Sequence, residues 1–336
     1  MAPPVTASST SAAPPTPLGA RTAPRVARAR QAPAGRVRRD EEQPAPAPPV
    51  PGDGPGLAGG QDGTSPRGGA RPALAMPDGP LAGARILVTG ASSGIGEATA
   101  RVLATRGARL AAAGRNRSAL AELGEATGAR ALPGDLLDPA EARATVQRAL
   151  DALGGLDVVV SNAGIGWAGP FDEMTPSDID RLLDLNLRAT AHLVHAALPA
   201  LRHSGGRLVL VGSIAGMLGV PGEAWYSATK AGLAGFADAL RAEVTPAGVG
   251  VTLVTPGVVA TRFFDRRNRG YDRQRPRPVA AERLAEALVA AVEGGRDELV
   301  YPGWLRLPAR LHGGLPGLYR ALARRFASPP AALRSA

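Results

Sequence analysis

Between residues 85 and 254 short, unbroken apolar runs alternate with longer segments whose apolar residues recur every three or four positions. The runs at 85–89, 109–113, 156–160, 207–211 and 250–254 are mostly apolar without sustained polar/apolar alternation, and a shorter one lies near 129–132. Strands of that kind are covered on both faces, as in a parallel sheet. The intervening segments, through Arg106, at 118–127, 139–153 and 174–201, and up to about Thr245, carry a helical period. Asp138 followed by Pro139 is a helix start, an N-cap carboxylate with proline at the first helical position. The pattern is β-α-β-α-β-α-β-α-β-α-β, which predicts an α/β fold with a doubly wound parallel sheet.

The two ends of the chain differ from this body. Residues 1–80 are dominated by Pro, Ala, Gly and Ser, carry nine arginines and no lysine, and lack hydrophobic periodicity. Such a segment buries too little apolar surface to offset its ordering entropy, so a disordered tail is expected. Met76, just ahead of the first strand, is an alternative start of translation. A single domain is expected over residues 81–300, with a short extension over 301–336 mixing Trp, Tyr, Leu and Arg. The net charge of +10 comes almost wholly from arginine, without a basic block interleaved with aromatics, so nucleic-acid binding is not expected. The absence of cysteine excludes disulfides, thiolate catalysis and cysteine-ligated metal, and no metal site is expected. No run of 18 apolar residues offers a membrane-spanning helix.

In open parallel sheets ligands bind beyond the carboxyl ends of the strands, and the candidate chemistry lies there. After the first strand come Gly90, Ser92, Ser93, Gly94, Ile95 and Gly96, then a helix. Glycines let backbone approach a pyrophosphate, and a helix N-terminus offers free N–H groups; the Gly-x3-Gly-x-Gly spacing differs from GxGxxG. The second strand ends in Gly114-Arg115-Asn116-Arg117 without an acid. An acid there would hold a ribose 2′-hydroxyl; Arg115 suits a 2′-phosphate, which points to NADP(H) over NAD(H). The fourth strand runs into Asn162-Ala163-Gly164, the fifth into Gly212-Ser213, and the sixth into Pro256-Gly257. On the helix between the last two, Tyr226 and Lys230 are four residues apart, hence on one face. Lys230 is the only lysine in the chain. A neighbouring ammonium is expected to draw a phenol's pKa down from about 10, making the tyrosine a general acid/base. His192 and His195 read as packing residues.

Together these residues resemble the short-chain dehydrogenase/reductase family, over about residues 83–300. The matching positions are Thr89 through Gly96 for the cofactor loop, Asp135 with Leu136 for the adenine side, and Asn162-Ala163-Gly164. Asn186, Ser213, Tyr226 and Lys230 match the catalytic tetrad, and Pro256, Gly257 and Thr261 the nicotinamide-side turn. Ser161 departs from the more usual asparagine. The resemblance implies a Rossmann-type fold and hydride exchange between NADP(H) and a carbonyl/alcohol pair. It implies Tyr226 as acid/base, Lys230 lowering its pKa and holding the nicotinamide ribose, Ser213 on the substrate oxygen, and Asn186 keeping a water behind Lys230. A homodimer or homotetramer in the cytoplasm is the expected state.

Met217, Leu218, Val220, Trp225, Phe263, Phe264 and Trp167 are expected around the substrate and favour an apolar one. Residues 262–278 are too polar and proline-interrupted for a stable helix, and read as a lid. In the extension, Arg320, Arg324 and Arg325 beside Leu315, Leu318, Leu322 and Phe326 suggest a basic amphipathic helix. It either lies on a membrane surface, caps the pocket, or packs on its own domain or a subunit neighbour. Two other functions stay open: a 3-oxoacyl thioester reductase, and an NADP-binding sensor or scaffold without turnover.

Overall fold

The structure, a computed structural model, describes residues 81–271, 276–318 and 321. The tail expected over residues 1–80 and the Arg320–Phe326 part of the expected amphipathic helix, apart from residue 321, lie outside the described residues. Among the described residues nine strands are formed: β1 (Arg85–Thr89), β2 (Arg109–Gly114), β3 (Arg130–Pro133), β4 (Val158–Ser161), β5 (Arg207–Val211), β6 (Gly250–Pro256), the two-residue β7 (Val259–Ala260) and β8 (Val279–Ala280), and β9 (Glu298–Tyr301). Seven of them make one parallel sheet in the order β3-β2-β1-β4-β5-β6-β9; β7 and β8 pair separately. The order reverses between β1 and β4, which leaves a crevice at the carboxyl ends of these two strands.

The helices are α1 (Gly94–Thr105), α2 (Arg117–Thr127), α3 (Pro139–Leu153), α4 (Pro176–Leu183), α5 (Ala189–Ser204), α6 (Ile214–Leu218), α7 (Ala224–Val244), α8 (Ala281–Glu293) and α9 (Arg306–Gly314). Side chains of α1, α2 and α8 pack with Ile86, Val88, Val160 and Val209 on one face of the sheet. Those of α3, α5 and α7 pack with Leu87, Val159, Leu208 and Leu210 on the other. Successive residues of one strand therefore serve opposite core layers, which is why these runs lack polar alternation. Asp138 caps α3 as expected, accepting from Ala140 N at 2.8 Å.

Three sequence expectations shift. The helix expected over 174–201 is split: a 3-10 turn at Phe171–Glu173, then α4 behind a Thr175–Asp178 capping box, a π-helical turn at Asp184–Arg188, and α5. The strands expected at 129–132 and 156–160 each start one or two residues later, at Arg130 and Val158. β9 and α8 extend the sheet beyond the six-strand pattern. β9 is fastened by Arg207, whose buried guanidinium donates to the carbonyls of Arg296 and Gly295, both at 3.1 Å, and to Thr252 Oγ1 at 2.8 Å. At the amino-terminal side of the sheet, Asp157 receives Arg85 through N, Nε and Nη2 at 2.7–2.9 Å, locking β1 to the start of β4.

Candidate active site

Strand ends, a helix start and one long helix converge on a cavity of about 930 Å3 at the carboxyl edge of the sheet. Its cofactor-like end begins at β1. Thr89 Oγ1 accepts from Asn162 N at 3.0 Å and Ala163 N at 3.1 Å, and Asn162 Nδ2 donates to Thr89 O at 3.0 Å. These bonds hold the β1 and β4 turns together across the crevice. The approach is so close that a Cβ on Gly96 would lie 2.3 Å from Gly90 O and 2.6 Å from Asn162 Nδ2. Gly94 has φ +60, which favours glycine, and stands against the Thr261 side chain. Ser93 is the N-cap of α1 but makes no side-chain capping bond, so the first amides of this twelve-residue helix are open to an anion. Arg115 and Asp135 flank the far end 4.0 Å apart, both half exposed, with Leu136 beneath. An uncapped helix start with glycine-bared backbone, an arginine beyond it and an elongated cavity fit a dinucleotide phosphate chain.

The other end is built on α7. Tyr226 and Lys230 share one face of it, as the helical spacing requires, and both are buried. Lys230 Nζ donates to Val211 O at 3.0 Å and lies 6.0 Å from the centre of the Tyr226 ring. The Ser213 hydroxyl, at the N-cap of α6, hydrogen-bonds the phenol and accepts from Ala215 N at 3.1 Å. Asn186 lies on the π-helical turn, where the extra residue of the wider turn aims it inward. Its Nδ2 donates to Ile165 O at 3.0 Å and Thr229 Oγ1 at 3.1 Å, and its Oδ1 accepts from Ile165 N at 2.9 Å. Gly164 fits between Asn186 and Lys230: a Cβ there would lie 3.0 Å from Asn186 Oδ1 and 3.5 Å from Lys230 Nζ.

The electrostatics correct one expectation. Lys230 does not draw the Tyr226 phenol down. Burial pushes the phenol up to about 12, opposed in part by the Ser213 hydrogen bond; Glu223 raises it further and Arg267 lowers it. Burial likewise pushes Lys230 down to about 8. Desolvation outweighs the neighbouring cation because the ammonium spends its bond on Val211 O, not on the phenol oxygen.

The substrate end is walled by Ile165, Leu218, Val220, Phe263, Phe264 and Tyr271, and by Trp304, Leu305 and Pro308 from the C-terminal segment. Tyr226, Phe263, Phe264 and Tyr271 form a chain of rings with centroids 5.8, 5.5 and 5.2 Å apart. Three residues expected at the substrate do not line this cavity. Trp167 is core, packed with Met174, Leu182 and Ala215. Trp225 packs against that cluster and donates to Ile179 O at 2.9 Å; Met217 lies off the wall. The segment expected to be a lid is tethered within its described part. Arg266 reaches Ser93 Oγ at 3.2 Å, Arg267 pairs with Glu223 at 2.6 Å beneath the Phe264 ring, Asn268 holds Ala168 O, and Arg269 pairs with Glu173. Sequence reasoning missed Glu223, Arg267 and Gly216. A Cβ on Gly216 would meet the Lys230 carbonyl at 2.6 Å, so this glycine lets α6 lie on α7. Only the long-range packing reveals these three. His192 and His195, expected as packing residues, lie outside the cavity, but His192 is only half-buried, beside Arg143, and His195 is exposed.

A doubly wound parallel sheet with an anion-receptive glycine turn at its switch point, and a Ser–Tyr–Lys cluster with its tyrosine and lysine buried beside it, defines a nucleotide-dependent oxidoreductase. Comparison with known proteins agrees. A sequence model of the short chain dehydrogenase family matches residues 84–272. An uncharacterized oxidoreductase of Myxococcus xanthus is 38% identical over 71% of this chain and 96% of its own length. The ketoacyl reductase HetN of a Nostoc species is 38% identical over 54% of this chain and 65% of its own. The crystal structure of a short chain dehydrogenase from Burkholderia cenocepacia in complex with NADP superposes with a TM-score of 0.60, at 34% identity, over 67% of this chain and 99% of that one. The chain belongs to the short-chain dehydrogenase family, whose fold binds a nicotinamide cofactor.

Proposed function

We propose that the protein is an NADP(H)-dependent oxidoreductase that interconverts a carbonyl and an alcohol on an apolar substrate. The observation that carries this reading is that buried Tyr226 and Lys230 and half-buried Ser213 stand on one cavity with the uncapped start of α1. The nicotinamide, when bound, supplies or takes the hydride. Residues Thr89 to Gly96 and the α1 amides would hold its phosphates, Asp135 and Leu136 its adenine side, and Asn162 to Gly164, Pro256, Gly257 and Thr261 the nicotinamide side. Arg115 supports NADP(H) over NAD(H) because it ends β2 where no acid stands. The Burkholderia relative was solved with NADP.

A phenol held up to about 12 is protonated at neutral pH, the state needed to give a proton to a developing alkoxide. Ser213 orients the same oxygen, and Lys230 provides positive charge as the phenol's proton leaves. Asn186 fixes the Ile165 main chain and Thr229, and with them the floor under Lys230. The apolar walls support a substrate without charge near its reacting carbon.

The test is a carbonyl and alcohol panel followed at the NADPH absorbance, with NADH in parallel. Tyr226→Phe is expected to lose turnover by about a thousandfold or more while NADPH binding persists. Near-native turnover in that variant would remove Tyr226 as the acid/base, and a clear NADH preference would overturn the role of Arg115. A second reading, reduction of a 3-oxoacyl thioester, draws support from the relative named ketoacyl reductase; thioester substrates in the panel separate it. A sensor without turnover has no use for the Tyr226–Lys230 pair.

A further inference from the structure

Six large apolar side chains are exposed among the described residues, and four of them lie in one fifteen-residue stretch: Trp304, Leu307, Leu315 and Leu318. Leu307 is 75% exposed. The inner side of the same stretch is settled, since Leu305 and Ala309 are buried against the body of the protein. Gly257 permits that seat: a Cβ there would lie 2.7 Å from Leu305 Cδ1. The outward apolar stripe is thus presented on an anchored platform.

Charge indicates what covers it. The last acid of the sequence is Glu298; from Gly303 onward there are six arginines and no Asp or Glu. Arg306 and Arg310 are exposed and one turn apart on α9, beside Leu307. A second copy docked here about a twofold axis would set this all-positive segment against itself. An anionic lipid surface takes both features, with arginines at the headgroups and Trp and Leu at the acyl boundary. The position also matters, because Trp304, Leu305 and Pro308 border the cavity.

We propose that residues 304–318 seat the protein on an anionic membrane surface and bring the substrate end of the cavity to the lipid boundary. An apolar substrate dissolved in the bilayer then reaches the cavity without crossing water. That last consequence rests on the oxidoreductase reading; the docking itself does not, and its test needs no turnover.

The test is co-sedimentation of the full chain with vesicles of phosphatidylcholine containing phosphatidylglycerol, against phosphatidylcholine alone. Selective binding to the anionic vesicles is expected, weakened by about 0.5 M salt. The double variant Leu307→Glu/Leu315→Glu, at two positions that do not line the cavity, should lose at least about tenfold in binding. Its oligomer size by light scattering and its melting curve should be unchanged. Should it fail to fold, Arg306→Gln and Arg310→Gln replace it, each expected to cost about fivefold. Negligible vesicle binding, equal binding to neutral vesicles, or variants that bind like the parent would overturn the proposal. So would a smaller oligomer for the leucine variant without vesicles, which would assign the stripe to a second copy.

Discussion

A buried ammonium with one carbonyl for a protein partner costs stability wherever it must be charged. Lys230 is held at about 8 by burial, against an ordinary 10.5. Below about pH 8 the folded chain carries the full penalty. As pH rises from there toward 10.5 the unfolded chain still binds a proton that the folded one has released, so the penalty fades. Lys230→Met is therefore expected to unfold at higher denaturant than the parent at pH 7, by about 3 kcal/mol. The two should converge near pH 10.5, as parallel denaturant titrations at the two pH values would show. An equal difference at both would mean packing, not desolvation, sets it. The residue type and spacing of this pair were legible in the sequence, because i and i+4 must share a helix face. Its burial was not, since a solvated pair has the same spacing. The direction of the Tyr226 shift was misread for the same reason: it depends on burial among Trp167, Ala215 and Phe263, none adjacent in sequence to the phenol.

At the scale of elements, the segment after β7 shows what polarity alone conceals. Residues 262–278 read as a lid because they are polar and proline-interrupted, yet in their described part each side chain from Arg266 to Arg269 has a fixed partner. The strongest is Arg267, nearly buried and paired with Glu223 at 2.6 Å. Removing one member of a buried pair leaves the other charge unpaired, at about 3–5 kcal/mol. Arg267→Ala is expected to loosen the aromatic wall, raising KM by about tenfold with a smaller change in kcat. Adding Glu223→Gln should restore part of the loss. Steady-state kinetics on the single and double variants check this; no recovery would show that Arg267 acts through Phe264 alone. The helices and central strands were legible because their periods are local. The π-helical turn that aims Asn186 leaves no mark on the apolar period of residues 174–201.

The whole molecule is organised by two core layers, one on each face of the sheet, and by a carboxyl edge that gathers the site. Six strands followed from apolar runs; β9 did not, being short and held to β6 by a buried arginine 91 positions upstream of its first residue. Among the described residues both core layers are built from Leu81 and later positions. A chain starting at Met76 is accordingly expected to keep its melting temperature and turnover, and a lower melting temperature would give residues 1–75 a structural role. One further property belongs to the molecule entire. Its sole side-chain amine is Lys230, only 6% exposed at the floor of the cavity. Reagents that acylate amines will therefore find, in the native protein, little beyond the α-amino group, and a second label per chain will count molecules whose site has opened.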